Sequence, residues 1–239
     1  IEETEKNDPL LHSARIMINN SLLSSDEILS LYEQARTRIH YVFEKATTRP
    51  KLVESSDVMK SIVSNNSKNI APNFADAKIR AKIFGKEYKR LEQPSHMAKL
   101  INYALKDLML QYENILVFGE DVAKKGGVYN VTADLYKQFS IRRVFNSPLD
   151  ETSILGFAAG LAHNGFLPIP EIQFLAYFHN AEDQLRGEAA TLSFFSQGQY
   201  LNPMVIRIAG LAYQRGFGGH FHNDNSLTIF RDIPGLILA

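Results

Sequence analysis

The chain has no cysteine among its 239 residues, which excludes disulfides, thiolate nucleophiles and cysteine-bound metals and suits a reducing compartment. Nor is there an excess of charge of either sign. Lys and Arg number 26 and Asp and Glu number 26, so no bulk charge draws the chain to nucleic acid or to a membrane surface. No apolar run approaches the roughly 20 residues of a membrane span, and the opening IEETEKNDPLLHS is acidic and polar, unlike a signal peptide. A cytoplasmic location is expected (the mitochondrial matrix if eukaryotic), with no nucleic-acid and no membrane partner. There is no GxGxxG spacing after a strand and no GxxxxGK followed by Ser or Thr, which removes the dinucleotide fingerprint and the phosphate loop. The chain starts without Met and stops on the apolar GLILA, so it reads as a piece of something longer.

What is present is an ordinary globular composition, 45% hydrophobic and 22% charged. Ser24 and Glu27 have capping-box spacing, and apolar residues at 28, 31, 32, 35, 39, 42 and 43 predict one amphipathic helix over 25–46. A shorter helix begins at Pro9, after Asp8, and ends near NNS, so the two form a helical hairpin. From Thr47 to about Ala75 the sequence is rich in Ser, Asn, Lys and Pro without periodicity and reads as a linker or arm.

Beyond the arm, helices alternate with buried strands. Ser95 is placed to cap a helix with apolar residues at 97, 100, 101, 104, 105 and 108. NILVFGED, RRVFNSP, LPIPEIQF, PMVIRIA and GLILA read as strands, separated by helices at 151–164, about 179–196 and roughly 224–231. The expected fold class is α/β, a mainly parallel sheet flanked by helices and preceded by a helical N-terminal segment. Ligands of such sheets bind beyond the carboxyl ends of the strands.

Four strand ends therefore carry the candidate site. Glu120 and Asp121 follow the first strand, with Gly126 and Gly127 permitting a tight turn; a solvated acidic turn explains them equally well. Asp150 is a suitable N-cap for the second helix, with Glu151 beside it, and the helix dipole alone accounts for one acid there. Phe174, Tyr177 and Phe178 crowd the third end, a spacing more common in cores than in cofactor platforms. The fourth holds Gly210, Gly216, Gly218 and Gly219 with His220 and His222, two histidines without a third ligand and hence a weak metal signal.

Read together, VFGEDVAKKGGVYNVTADLYKQF, RVFNSPLDETSILGFAAGLAHNGFLPIPEIQF and GGHFHNDNSLTIFRDIPGL closely resemble the β subunit of the thiamine-diphosphate-dependent 2-oxoacid dehydrogenases, the E1 components of the pyruvate and branched-chain complexes. The resemblance runs from about Gln93 to the end. Residues 1–50 look like the C-terminal tail of the α subunit of the same enzymes, which implies a fused chain with residues 51–92 as the joining arm and residues 93–239 as a truncated pyrimidine-binding domain. It further implies oxidative decarboxylation of a branched-chain 2-oxoacid, or pyruvate, and acyl transfer to a lipoyl-bearing E2 acyltransferase. In the family the diphosphate and magnesium are held by a GDG motif with a downstream Asn pair. No GDG is present here, so that end of the cofactor is expected from an E1 α-type portion or a second E1 protomer in a homo-oligomer, and no metal ligand is assigned to this chain.

Carried over by position, the resemblance puts the acid that meets the pyrimidine ring nitrogen on Glu151, a second cofactor-side acid on Glu120, the aromatic packed on the ring on Tyr177 and the site histidine on His222. Asn223 and Asp224 depart from the family's HSQ segment. Within enzymes, the alternative is a transketolase-like or deoxyxylulose-phosphate-synthase-like carboligase. Outside them, it is a noncatalytic assembly module of E1.

Overall fold

The computed structural model describes residues 2–60, 75–210 and 219–239. They fall into two compact units, 1–53 and 54–239. The first holds α1 (Glu2–Lys6), α2 (Pro9–Asn19) and α3 (Ser25–Thr47). Asp8 caps α2 by accepting from the Leu10 amide at 2.7 Å, and Pro9 occupies the first helical turn, where its missing N–H costs nothing. The predicted capping box of α3 is formed: Ser24 Oγ accepts from the Glu27 amide at 3.3 Å, and Glu27 Oε2 accepts from the Ser24 amide at 2.8 Å. No described side chain of α2 or α3 is buried within this unit.

The second unit opens with α4 (Ser55–Met59) and, within the stretch read as an arm, α5 (Ala77–Phe84) and a 3₁₀ turn at Gly85–Arg90. Predicted arm residues 61–74 lie outside the described residues. α5 docks on α6 (Met97–Gln111) through a two-pronged ion pair, Arg80 Nε–Asp107 Oδ1 at 2.6 Å and Nη2–Oδ2 at 2.7 Å. Phe84 is buried edge-on against Tyr103 at 5.6 Å. The cap of α6 is His96, whose ring accepts from the Lys99 amide at 3.4 Å, rather than Ser95 as predicted; the helix starts one residue later than the sequence suggests.

The sheet is formed by β1 (Ile115–Gly119), β2 (Val144–Asn146), β3 (Leu167–Ile172) and β4 (Arg207–Ile208), all parallel in the order β2-β1-β3-β4. α7 (Leu135–Phe139) precedes β2 and α8 (Glu151–His163) follows it. Both faces of β1 are buried, as its unbroken apolar run requires. Phe118 joins a core with Ile154, Ala158, Ile172 and Phe178, while Ile115 and Val117 join another with Met109, Leu135 and Val144. Alternation along one strand thus packs two helical layers.

Four predicted elements are corrected. PMVIRIA contributes only two paired residues because Pro168 and Pro170 face that edge of β3, where Pro168 accepts from the Val205 amide at 3.1 Å but neither proline can donate in return. The helix predicted for about 179–196 follows the short α9 (Leu175–Phe178) and is broken into a 3₁₀ turn at His179–Ala181, a π-helical turn at Gln184–Ala189 and α10 (Leu192–Phe195); Thr191 Oγ1 donates to the Gly187 carbonyl at 2.6 Å and stabilises the widened turn. The helix predicted for 224–231 is reduced to α12 (Thr228–Arg231), preceded by the short α11 (Gly219–His222), because Asp224 captures the Ser226 amide in a side-chain turn. GLILA pairs with no strand among the described residues. No helix there is long and apolar enough to cross a membrane.

Candidate functional site

Strand order reverses beside β1. The chain leaves β1 toward β2, on one side, and leaves β3 toward β4, on the other, so a crevice is expected beyond the carboxyl ends of β1 and β3. Gly119 ends β1 at φ +154°, and a Cβ there would sit 2.6 Å from the Glu171 carbonyl on β3, so only glycine lets the two strands pair up to their ends. The next residue is Glu120. It is half-buried, and its Oε1 is buried with no hydrogen-bond partner among the described residues. Asp121 takes the solvated role instead, paired with Lys125 at 3.0 Å. The sequence left both readings open for this turn, and the structure divides them between the two acids.

Burial first, then the negative charges of Glu151, Asp121 and Glu171, pushes the Glu120 carboxyl above the usual carboxylate range. The sign for stability follows from proton linkage. On raising the pH above the ordinary carboxylate value, the unfolded chain has released this proton while the folded one still binds it, so stability falls across that window. Glu120→Gln is therefore expected to raise the melting temperature at pH 7 and above, with the advantage shrinking toward pH 4. Thermal melts at a series of pH values check this, and equal Tm at pH 7 counts against it.

Glu151 opens α8. Only 4% of it is exposed, and its Oε2 accepts from Asn180 Nδ2 at 2.9 Å. Asp150 sits at the cap position as predicted, but its side chain accepts from the Ser153 hydroxyl at 2.5 Å rather than from a backbone amide, and that bond holds its carboxyl below the usual range. The two neighbouring acids thus face different surroundings: Asp150 is exposed and Glu151 is turned inward.

Beyond β3 the chain runs through Phe174, Tyr177, His179 and Asn180. The Tyr177 hydroxyl and His222 Nε2 are 3.3 Å apart, and the Phe174 ring stands edge-on to both Tyr177, at 5.8 Å, and His222, at 4.5 Å. His179 Nε2 is 2.7 Å from Asp224 Oδ2, and Asn180 reaches Glu151. This one segment therefore touches both the α8 terminus and the 219–226 segment. Of the four residues singled out from the sequence, the structure brings Tyr177 to His222 and places Glu151 where its charge acts on Glu120. Phe178 is core, packed on Phe230 at 4.9 Å. Gly216 and Gly218 lie outside the described residues.

Sequence reasoning missed Asn180 and His179, which sit in a stretch read as plain helix, and a buried ion pair under the site. Glu171, 3% exposed, is 2.9 Å from Arg207 Nη2 through Oε2 and accepts from the Val128 amide at 3.1 Å through Oε1. Gly127, at φ +66°, makes room for that carboxylate, since a Cβ would lie 2.7 Å from Oε1. Burial raises Glu171 despite Arg207, and burial lowers Arg207 despite Glu171. No three His, Asp or Glu side chains converge to hold a metal ion among the described residues. What the site offers chemically is two inward acids, one of them with an oxygen unpaired among the described residues, together with an aromatic cluster and an imidazole.

Comparison with known proteins places this geometry. Residues 93–238 match the family described as Transketolase, pyrimidine binding domain. A pyruvate dehydrogenase E1 component subunit beta of Staphylococcus epidermidis is 42% identical over 145 residues, covering 59% of this chain and 42% of that protein. A 3-methyl-2-oxobutanoate dehydrogenase subunit beta of Mycobacterium tuberculosis is 40% identical over 136 residues, covering 57% and 38%. The chain spans about two fifths of the length of these curated relatives.

Proposed function

Since the chain belongs to the transketolase pyrimidine-binding-domain family, we propose that residues 93–239 form the pyrimidine-binding half of a thiamine-diphosphate site in a 2-oxoacid dehydrogenase E1 component. The observation that carries this reading is the pair of inward acids at the strand-order reversal: Glu151 with one oxygen held by Asn180, and Glu120 with a buried oxygen left unpaired among the described residues. An aminopyrimidine suits that donor set. It presents a ring nitrogen and an exocyclic amine to two carboxyl groups, and a flat face to Tyr177 and Phe174.

The cofactor, when bound, supplies the nucleophilic carbon and the electron sink for cleaving the bond to the substrate carboxylate. With Oε2 taken by the Asn180 amide, Glu151 would hold the exchangeable proton on Oε1, available to the ring nitrogen of a bound aminopyrimidine. Glu120 Oε1, buried without a partner among the described residues, would accept from the exocyclic amine. Tyr177 and Phe174 exclude water from one face of the ring. His222, across the cleft and bonded to Tyr177, holds or gives up a proton as charge develops on the substrate. The diphosphate and its magnesium belong to an E1 α-type portion or a second protomer, in line with the absence of GDG from this sequence. Residues 1–50 are the tail of such an α portion joined to the β portion, and the acyl group passes to a lipoyl-bearing E2.

The test is turnover by the full-length protein of pyruvate and of branched-chain 2-oxoacids with thiamine diphosphate, magnesium and an electron acceptor. Release of carbon dioxide dependent on the cofactor is expected, and its absence with every 2-oxoacid overturns the proposal. The 239-residue chain by itself is expected to bind thiamine diphosphate weakly or not at all; calorimetry showing tight magnesium-dependent binding contradicts the assignment of the diphosphate end elsewhere.

A further inference from the structure

We propose that His179 and Asp224 are a pair of positioning residues that set where His222 stands in the site, a proposal that rests on the function just assigned to His222. α11 is a single turn of four residues, followed by a bond from Asn223 Nδ2 to the Gly219 carbonyl at 3.0 Å. Two of the contacts that His222 makes tolerate movement: a 3.3 Å contact to Tyr177, at the long end of the hydrogen-bond range, and an edge-on ring contact to Phe174 at 4.5 Å. The short contact between the two segments is His179 Nε2 to Asp224 Oδ2, at 2.7 Å.

Its location is what gives it leverage. His179 is two residues beyond Tyr177, and Asp224 is two residues beyond His222, so this contact and the Tyr177–His222 contact pin the segments at two corresponding points. The Asp224 carboxylate is itself oriented, because its other oxygen accepts from the Ser226 amide at 2.9 Å and from the Ser226 hydroxyl at 2.5 Å. Those bonds, and then His179, bring Asp224 down to about 2, so the anion persists through the neutral range. A polar contact as open as this one, with the His179 side chain 41% exposed, adds little to global stability. Positioning is another matter, since a displacement of about 1 Å at a reacting group costs on the order of 100-fold in rate. The next residue, Asn180, holds Glu151, so the same short stretch touches both that acid and, through Asp224, the segment that carries His222.

The experiment uses the full-length protein with His179→Ala, Asp224→Ala, the double variant and His179→Gln. Each Ala variant is expected to lower kcat about tenfold with KM for the 2-oxoacid nearly unchanged, the double variant to be no worse than either single, and His179→Gln, which retains a donor, to recover most of the loss. Hydrogen exchange without cofactor or substrate should show the amides of 219–226 exchanging faster in both Ala variants, with β1 and β3 unchanged. Wild-type kcat together with unchanged exchange overturns the proposal, as do additive losses in the double variant. If the wild-type protein turns over no 2-oxoacid, the functional reading falls instead, and the exchange rates of 219–226 alone decide for or against the pair.

Discussion

Glu151→Gln in the full-length protein is expected to lower 2-oxoacid turnover by at least about 100-fold, the lower end of what a positioned proton donor contributes. The substitution keeps the shape of the side chain and leaves an oxygen to accept from Asn180, so α8 and its packing should persist. What it removes is the exchangeable proton on Oε1. A glutamine amide can touch a ring nitrogen but cannot pass it a proton, so the loss should appear in kcat while cofactor affinity changes much less. Far-UV circular dichroism and melting temperature control for folding. Turnover within about threefold of wild type would show that Glu151 is only the inward end of a helix and not a proton-transfer partner, because such a role is worth far more than that factor. The noncatalytic-module alternative makes the opposite forecast, since an assembly role is indifferent to that proton.

The sequence made this region legible in a specific order. Buried apolar runs such as ILVFG announced a parallel sheet, and the rule that ligands sit beyond strand ends then directed attention to four loops, from which the family resemblance, and not the pattern, picked Glu120, Glu151, Tyr177 and His222. Local pattern could not say which of Asp150 and Glu151 turns inward, because both suit a helix start. That distinction comes from tertiary contacts, with Ser153 engaging Asp150 and Asn180 engaging Glu151 across 29 positions of chain. His179 and Asn180 stayed hidden for the same reason: a polar pair in HNAED reads as solvated helix until the segment is known to fold over the α8 terminus. The shortening of the last strand was legible in principle. Two prolines at alternate positions in LPIPEI leave one edge without donors, which limits whatever pairs there. Charge inside buried strands was a further available signal. EIQF and VIRIA each set one charged residue in an apolar run, with opposite signs, and two such strands lie side by side at little cost only if the charges meet.

That pair yields the largest stability effect expected here. Arg207→Met should destabilise the folded protein by about 3–5 kcal/mol, because it strands the Glu171 carboxylate in a site that is 3% exposed, and breaking one side of a buried pair leaves an uncompensated charge. For a domain of this size that corresponds to a drop in melting temperature of roughly 6–20 °C. The deficit should depend on pH in a defined direction. Burial already holds Glu171 above the usual carboxylate range with Arg207 present, and removing the cation raises it further. Across the window between the ordinary carboxylate value and that raised one, the folded variant binds a proton that the unfolded chain has lost, so the variant loses stability as pH rises and recovers as pH falls. The double variant Glu171→Gln, Arg207→Met tests the cause. A glutamine keeps an acceptor for the Val128 amide and carries no charge, so most of the lost stability should return. Equal melting temperatures for the Arg207→Met single variant and the double variant would mean that Arg207 contributes through packing of its stem and not through its charge. Recovery in the double variant would establish that the deficit of the single variant is the uncompensated Glu171 charge, that an uncharged acceptor suffices to hold the Val128 amide, and that Arg207 serves to offset the charge that Glu171 brings into the sheet.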